Sequence, residues 1–122
     1  MCAIFGVFHA RKAAELCVIG LHANQHRAMD YTGIVSSDGA YLYRERGAGL
    51  ARQVFSDEKI LTRLHGLDAL GHIRYPTVSD EATRDNIQPI VGIYNGKQIA
   101  IAHNGNITNV KELKERFPDI RC

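Results

Sequence analysis

The sequence predicts an α+β fold in which antiparallel hairpins outnumber βαβ units. Two hairpin signals carry that reading. Asp38-Gly39 and Asn95-Gly96 each separate β-rich runs, and such dipeptides supply the positive φ that a tight turn needs. A third observation is the run RKAAELCVIGLHANQH, apolar at Ala13, Leu16, Cys17, Ile19 or Gly20 and Ala23, the spacing of an amphipathic helix against a sheet. The order along the chain is strand, helix, hairpin, short helix, strand, hairpin, helix. At 122 residues this is one domain or a piece of one.

Residues 2–9 read as a strand apolar enough on both faces to be buried. The first helix follows. His26 and Arg27 at its end are placed to satisfy the last carbonyls. Strands are expected at 31–37 and 40–46, then a loop over GAGLARQVF. Ser56 is the expected N-cap of a short helix ending near His65 and Gly66. DALGHIRY reads as a strand, and the polar, proline-bounded PTVSDEATRDNIQP after it is long for a loop in a compact domain, a length that usually accompanies function or disorder. IVGIYNGKQIAIAH forms the second hairpin. Thr108 is the expected cap of a last helix running to about Phe117, closed by Pro118.

Composition narrows the function classes. Hydrophobic residues make up 45% and charged residues 23%, the balance of a soluble globular chain. The longest apolar runs are too short to span a bilayer, and nothing at the N-terminus has the layout of a signal peptide, so the expected location is the cytoplasm and no membrane partner is implied. A net charge of +2 with both signs interspersed leaves no footprint for nucleic acid. Three cysteines, Cys2, Cys17 and Cys122, make an odd count with no short pairing, which supports neither a disulfide framework nor a zinc knuckle. Cys17 falls in the helical pattern as core packing, and Cys122 is the terminal residue, expected to be a frayed, exposed thiol. His9, His22 and His65 have no ligand spacing with one another or with the cysteines, so no metal site is expected.

Cys2 is open to two readings. It is a small apolar residue at the start of a strand, or, once the initiator methionine is removed, an N-terminal nucleophile whose own α-amine, titrating near ~7.7–8.0, takes the thiol proton. AHNGNITN, residues 102–109, delivers Asn104 and Gly105 into a turn before a helix. There a side-chain amide and a backbone N–H can converge on one oxyanion; the alternative is an ordinary strand-to-helix turn. In GHIRYPT, residues 71–77, Arg74 ends an apolar strand, as a solvated strand end or as a bidentate clamp for a carboxylate. His72 is expected to be structural, on the opposite face from its neighbours.

Taken together and in order, MCAIFGVF, the AAEL to QHR stretch, GIVSSDG, GHIRYPT, NIQP and IAHNGNITNVKEL resemble the N-terminal glutaminase domain of the class II, or N-terminal nucleophile, glutamine amidotransferases. Within that family the likeness is to the branch that feeds ammonia to a phosphoribosyltransferase domain in purine synthesis. The resemblance implies a four-layer αββα sandwich of mainly antiparallel sheets. It implies that Cys2 attacks the amide of glutamine to form a γ-glutamyl thioester and release ammonia. Asn104 and Gly105 would form the oxyanion hole; Arg74 would hold the substrate α-carboxylate with Tyr75 and Thr77 beside it, and Arg27 would be a pocket arginine near the cysteine.

Departures accompany the likeness. Ala3 and Ala28 stand where the family has glycine, the run Met29, Asp30 and Tyr31 stands where the family has Gln, Glu or Asp, and Ser, and Pro76 replaces a small polar residue. Ala28 is thus expected to narrow or reshape the pocket. The resemblance ends with the first part of the domain, so a second chain or segment is the expected completing partner, with homo-oligomerisation also open. Asp119 lies near, but not in, the position of an acidic substrate-binding motif. No cofactor is expected in this chain, since magnesium would belong to the phosphoribosyltransferase domain. Two rival readings remain: a non-catalytic glutaminase-like module acting in binding or regulation, and the glutaminase part of another class II amidotransferase with a different ammonia acceptor.

Overall fold

In the computed structural model, which describes residues 1–75, 86–105 and 107–118, the first five residues of regular structure already show the plan. Strand β1 (Ala3–Val7) sends alternate side chains to opposite faces: Ala3 is buried, and Phe5 and Val7 pack against the main apolar core. β1 pairs antiparallel with β4 (Asp68–Arg74), which pairs antiparallel with β2 (Tyr31–Ser37), which pairs with β3 (Leu42–Ala48). The sheet order is β1-β4-β2-β3, and a separate hairpin of β5 (Ile90–Tyr94) and β6 (Lys97–Ile101) makes a second sheet. This is the expected α+β architecture with antiparallel sheets.

Helix α1 (Ala13–Ala23) covers one face of the large sheet, lying across β1 and β4. Its buried stripe is Ala13, Ala14, Cys17, Gly20 and Leu21; of the expected inward positions Leu16 and Ala23 are exposed, and of the pair Ile19 or Gly20 it is Gly20 that is buried. The rotation has a steric cause. Small side chains let the helix approach the strands: a Cβ at Gly20 would strike the Phe5 ring, and one at Gly71 of β4 would strike Cys17 and Leu21. The larger aliphatics are left outside. Leu21, Ile34 and Ile73 become fully buried in the resulting interface, each contributing roughly 1.5–3 kcal/mol of transfer free energy.

The expected turns are present, with shifted boundaries. β2 and β3 are closed by a loop from Asp38 to Tyr41 with Gly39 at φ +91°, so β3 begins at Leu42. Asp38 Oδ1 accepts from the amides of Ala40 and Tyr41, and Oδ2 accepts from Tyr43 Oη. The Tyr43 bond, followed by those amides, holds the Asp38 carboxyl down at about 2. Asn95 and Gly96 both have positive φ, 50° and 73°, as a tight β5–β6 turn requires.

The stretch expected to be a loop after β3 contains a short helix, α2 (Ala51–Val54), because buried Gln25 supplies its start: Gln25 Oε1 accepts from Ala51 N at 2.8 Å while its Nε2 donates to Ala28 O at 2.6 Å. The next helix, α3 (Glu58–Leu61), is capped by Asp57, which accepts from Lys59 N; Ser56 Oγ instead donates back to Gln53 O. α4 (Val110–Arg116) starts after Asn109 rather than Thr108, and the Asn109 side chain donates to Glu112. Nor do His26 and Arg27 close α1. Asn24 does, its side chain donating to Gly20 O at 2.9 Å and its amide to Leu21 O.

On β4 the residues alternate between two environments. Gly71 faces α1, whereas His72 and Arg74 face the other way, toward the segments that enter and leave the second sheet. Gly33, the β2 partner of His72, lies directly beneath the backbone of Gln88. The large sheet is therefore sandwiched between α1 and the Gln88–Gly105 segment. We expect Gly71→Ala to lower stability by about 1–3 kcal/mol through overpacking against Cys17 and Leu21, read as a lower urea midpoint at an unchanged slope.

Candidate active site

A cavity of about 810 Å³ opens on the face of the large sheet away from α1. Cys2 and Met1 enter its wall from the start of β1, Arg74 and Tyr75 from the end of β4, and His103, Asn104 and Gly105 from the turn after β6. Residues 2 and 74 meet because β1 and β4 are antiparallel neighbours, Ala3 pairing with Ile73, so that the start of one strand lies beside the end of the other, and Asn104 reaches them from the turn after β6. The remaining wall is largely apolar, with Ile90, Ile99 and Ile101 from the second sheet and Val110 and Lys114 from α4.

The backbone carbonyl of Cys2 is the meeting point of two distant side chains. Asn104 Nδ2 donates to it at 3.2 Å, and Arg27 Nε donates to it at 3.3 Å. Arg27 Nη2 also approaches Met1 Sδ, at 3.9 Å. Arg27 is outside the described cavity wall but holds the residue that is in it. Cys2 is half-buried, poised between the sheet and the cavity.

Arg74 is tied down from the opposite rim, Nη1 donating to Asn86 O at 2.8 Å. Gln88 Oε1 accepts from His103 N at 2.6 Å, which anchors the turn carrying Asn104 and Gly105. The NIQP segment thus has two tasks that sequence reasoning did not assign: Asn86 fixes the guanidinium, and Gln88 fixes the turn. The Asn-x-Gln-Pro spacing was visible, but its partners are set by contacts across the fold. Gly105 has its own steric role, since a Cβ there would run into the His103 ring.

Of the expected site residues, Cys2, Arg74, Tyr75, Asn104 and Gly105 share this cavity, and Thr77 and Pro76 lie outside the described residues, as do Asp119 and Cys122. Ala28 is not in the described wall. It is extended, with φ −162° and ψ 147°, and its methyl is buried in the α1-side core. A side chain there needs no positive φ. Tyr31 and Ala3 belong to the strands, and Met29 is exposed. Among the described residues, no three His, Cys, Asp or Glu side chains gather closely enough to hold a metal ion, and no helix is long and apolar enough to cross a membrane.

The two described thiols differ in burial, Cys2 half-buried and Cys17 fully enclosed. Burial pushes Cys17 up to about 12, and its Sγ lies 3.6 Å from the Phe5 carbonyl. At pH 8 roughly one part in 10⁴ of Cys17 is thiolate. We expect iodoacetamide to modify Cys2 on the native chain while Cys17 reacts only after denaturation, as checked by peptide-resolved mass spectrometry.

No protein-family model matches the chain. Curated proteins do: it is 43% identical over 116 residues to an amidophosphoribosyltransferase of Rhizobium etli, covering 95% of this chain and 23% of that protein. It is 40% identical over 118 residues to an amidophosphoribosyltransferase of Lacticaseibacillus casei, covering 97% of this chain and 60% of that protein. Among solved structures, an allosteric regulatory enzyme of purine biosynthesis superposes with a TM-score of 0.82 at 34% identity, and a glutamine phosphoribosylpyrophosphate amidotransferase from B. subtilis with 0.79 at 33%. Each superposition covers 98% of this chain and 25% of the other. The chain spans about a quarter of the length of most of these relatives. Over almost its entire length it is similar to amidophosphoribosyltransferases, and it resembles the first part of a class II glutamine amidotransferase domain.

Proposed function

We propose that this chain carries the nucleophile end of a glutamine amidotransferase serving purine nucleotide synthesis in the cytoplasm, with glutamine as substrate and Cys2 as the attacking residue. The observation that carries the proposal is the convergence of Cys2, Arg74, Asn104 and Gly105, from three separate regions of the chain, on one cavity. Similarity to amidophosphoribosyltransferases over 95% of the chain supports it.

The chemistry follows from the residue types. With Met1 removed, the α-amine of Cys2 takes the thiol proton and the thiolate attacks the side-chain carbonyl carbon of glutamine. Negative charge develops on the amide oxygen, where Asn104 Nδ2 and the Gly105 N–H are the available donors. Asn104 Nδ2 is already held within 3.2 Å of the Cys2 carbonyl, so the donor is positioned before substrate arrives. The ammonium so formed returns its proton to the departing nitrogen, the C–N bond breaks, and ammonia leaves a γ-glutamyl thioester. Water attacks the thioester with the amine again as base, giving glutamate and the free thiol. Arg74 pairs with the substrate α-carboxylate, with Tyr75 beside it, and Arg27 fixes the backbone of the nucleophile. The ammonia acceptor chemistry, and any magnesium it uses, belong to other parts of such an enzyme, on this chain's own continuation or on a partner.

The experiment is glutamate release from glutamine by chain shown by intact mass to lack Met1, with whatever segment completes the domain. We expect Cys2→Ala to abolish release, Arg74→Ala to raise KM at least tenfold, and Asn104→Ala to lower kcat by about 10²–10³. Undiminished release by Cys2→Ala would overturn the proposal.

A further inference from the structure

We infer that His72 is a positioning residue for the His103–Gly105 turn, its buried ring forming the floor on which that turn rests. His72 is fully buried on β4, on the sheet face that carries the cavity. Its neighbour across β1 is Ile4 and its neighbour across β2 is Gly33, which offers no side chain. The backbone of Gln88 fills the space above Gly33, and the Gln88 side chain holds His103 N at 2.6 Å. His72, Gly33, Gln88 and His103 thus form one stack between the sheet and the turn.

Packing alone does not account for an imidazole here. Neither ring nitrogen makes a hydrogen bond of full geometry, and a leucine would fill similar volume without burying polar atoms. What the ring does have is a polar neighbour in the right place: the His103 backbone lies close enough to favour its charged form, against the cost of burial and the charges of Arg74 and His103. Burial prevails, holding the imidazole near 4 and so uncharged at neutral pH. The groups around it are Arg74 on its own strand, His103 from the turn, Cys2 ahead of β1 and Arg46 farther along the same sheet face, beyond Gly33. Protonation would set a buried positive charge beside Arg74 and push on the segment that carries Asn104 and Gly105.

The link to catalysis rests on the glutaminase reading; the link to the turn does not. The test follows the Gly105 N–H and the Asn104 side-chain amide by NMR in the whole chain. We expect His72→Leu to displace both signals while those of the β2–β3 hairpin hold, and His72→Gln, an uncharged polar side chain of similar reach, to restore them toward their original positions. On acidification of the unsubstituted chain both signals should move in step with the His72 ring, and this movement should vanish in His72→Gln. Signals that stay in place in His72→Leu, or that ignore the ring's titration, would overturn the inference. Should His72→Leu fail to fold, the titration comparison with His72→Gln decides. In the glutamine assay, His72→Leu should lower kcat by on the order of 10- to 100-fold with little change in KM, as misplacement of a donor does. Absence of glutamate release from the unsubstituted, Met1-free chain together with the segment that completes the domain would overturn the glutaminase reading, and the NMR outcomes would still decide the role of His72.

Discussion

The arrangement depends on how closely a second layer of chain can approach the large sheet at Gly33. Without a side chain there, the Gln88 backbone settles directly on β2. That contact sets the height at which the Gln88 side chain reaches His103 and, through it, the height of Asn104 above Cys2. Any Cβ at position 33 would lift the layer and everything seated on it. The chemistry-bearing residues are polar and partly solvated, but what aims them is a steric contact between two backbones.

The opposite face of the sheet follows the same logic with different residues. Gly71 and the Ala13, Ala14, Cys17 and Gly20 stripe bring α1 down onto β1 and β4, and the depth of that contact fixes where β1 begins. Cys2 is one residue ahead of it. Position two is therefore held by the sheet register behind it, by Arg27 from the segment after α1, and by Asn104 from the far end of the chain. Its carbonyl accepts both bonds, so the backbone of Cys2 is fixed where the residue lines the cavity.

Much of this was legible in the sequence, and the divide between what was and what was not is physical. Asp38-Gly39 and Asn95-Gly96 announced their hairpins because turn conformation is a local property of those residues. On α1 the expected Ala13, Cys17 and Gly20 face inward, but Leu16 and Ala23 do not, because hydrophobicity favours the larger aliphatics while the sheet selects for smallness. Ser56 lost its capping role to Asp57, and α4 starts one residue later than a Thr108 cap would place it, one-residue displacements typical of helix starts. Cys2, Arg74, Asn104 and Gly105 could be singled out by residue type and context. Arg27 was named near the cysteine only through the family resemblance, and the roles of Asn86 and Gln88 were not named at all: these three act through bonds spanning 25, 12 and 15 residues of sequence, which no local pattern encodes.

The exposed Met1, with its sulfur beside Arg27, acquires a particular meaning if Cys2 is the nucleophile. While methionine is attached, the nitrogen of Cys2 is an amide whose lone pair is delocalised into the carbonyl, and it cannot serve as a base. The first residue then acts as a protecting group in the synthetic chemist's sense. It masks the one functional group the thiol needs, while the fold holds the Cys2 carbonyl from the next bond along. Deprotection would convert a neutral nitrogen into a titrating one and take the Met1 side chain out of the cavity wall, while the Cys2 carbonyl keeps its two partners, Arg27 and Asn104.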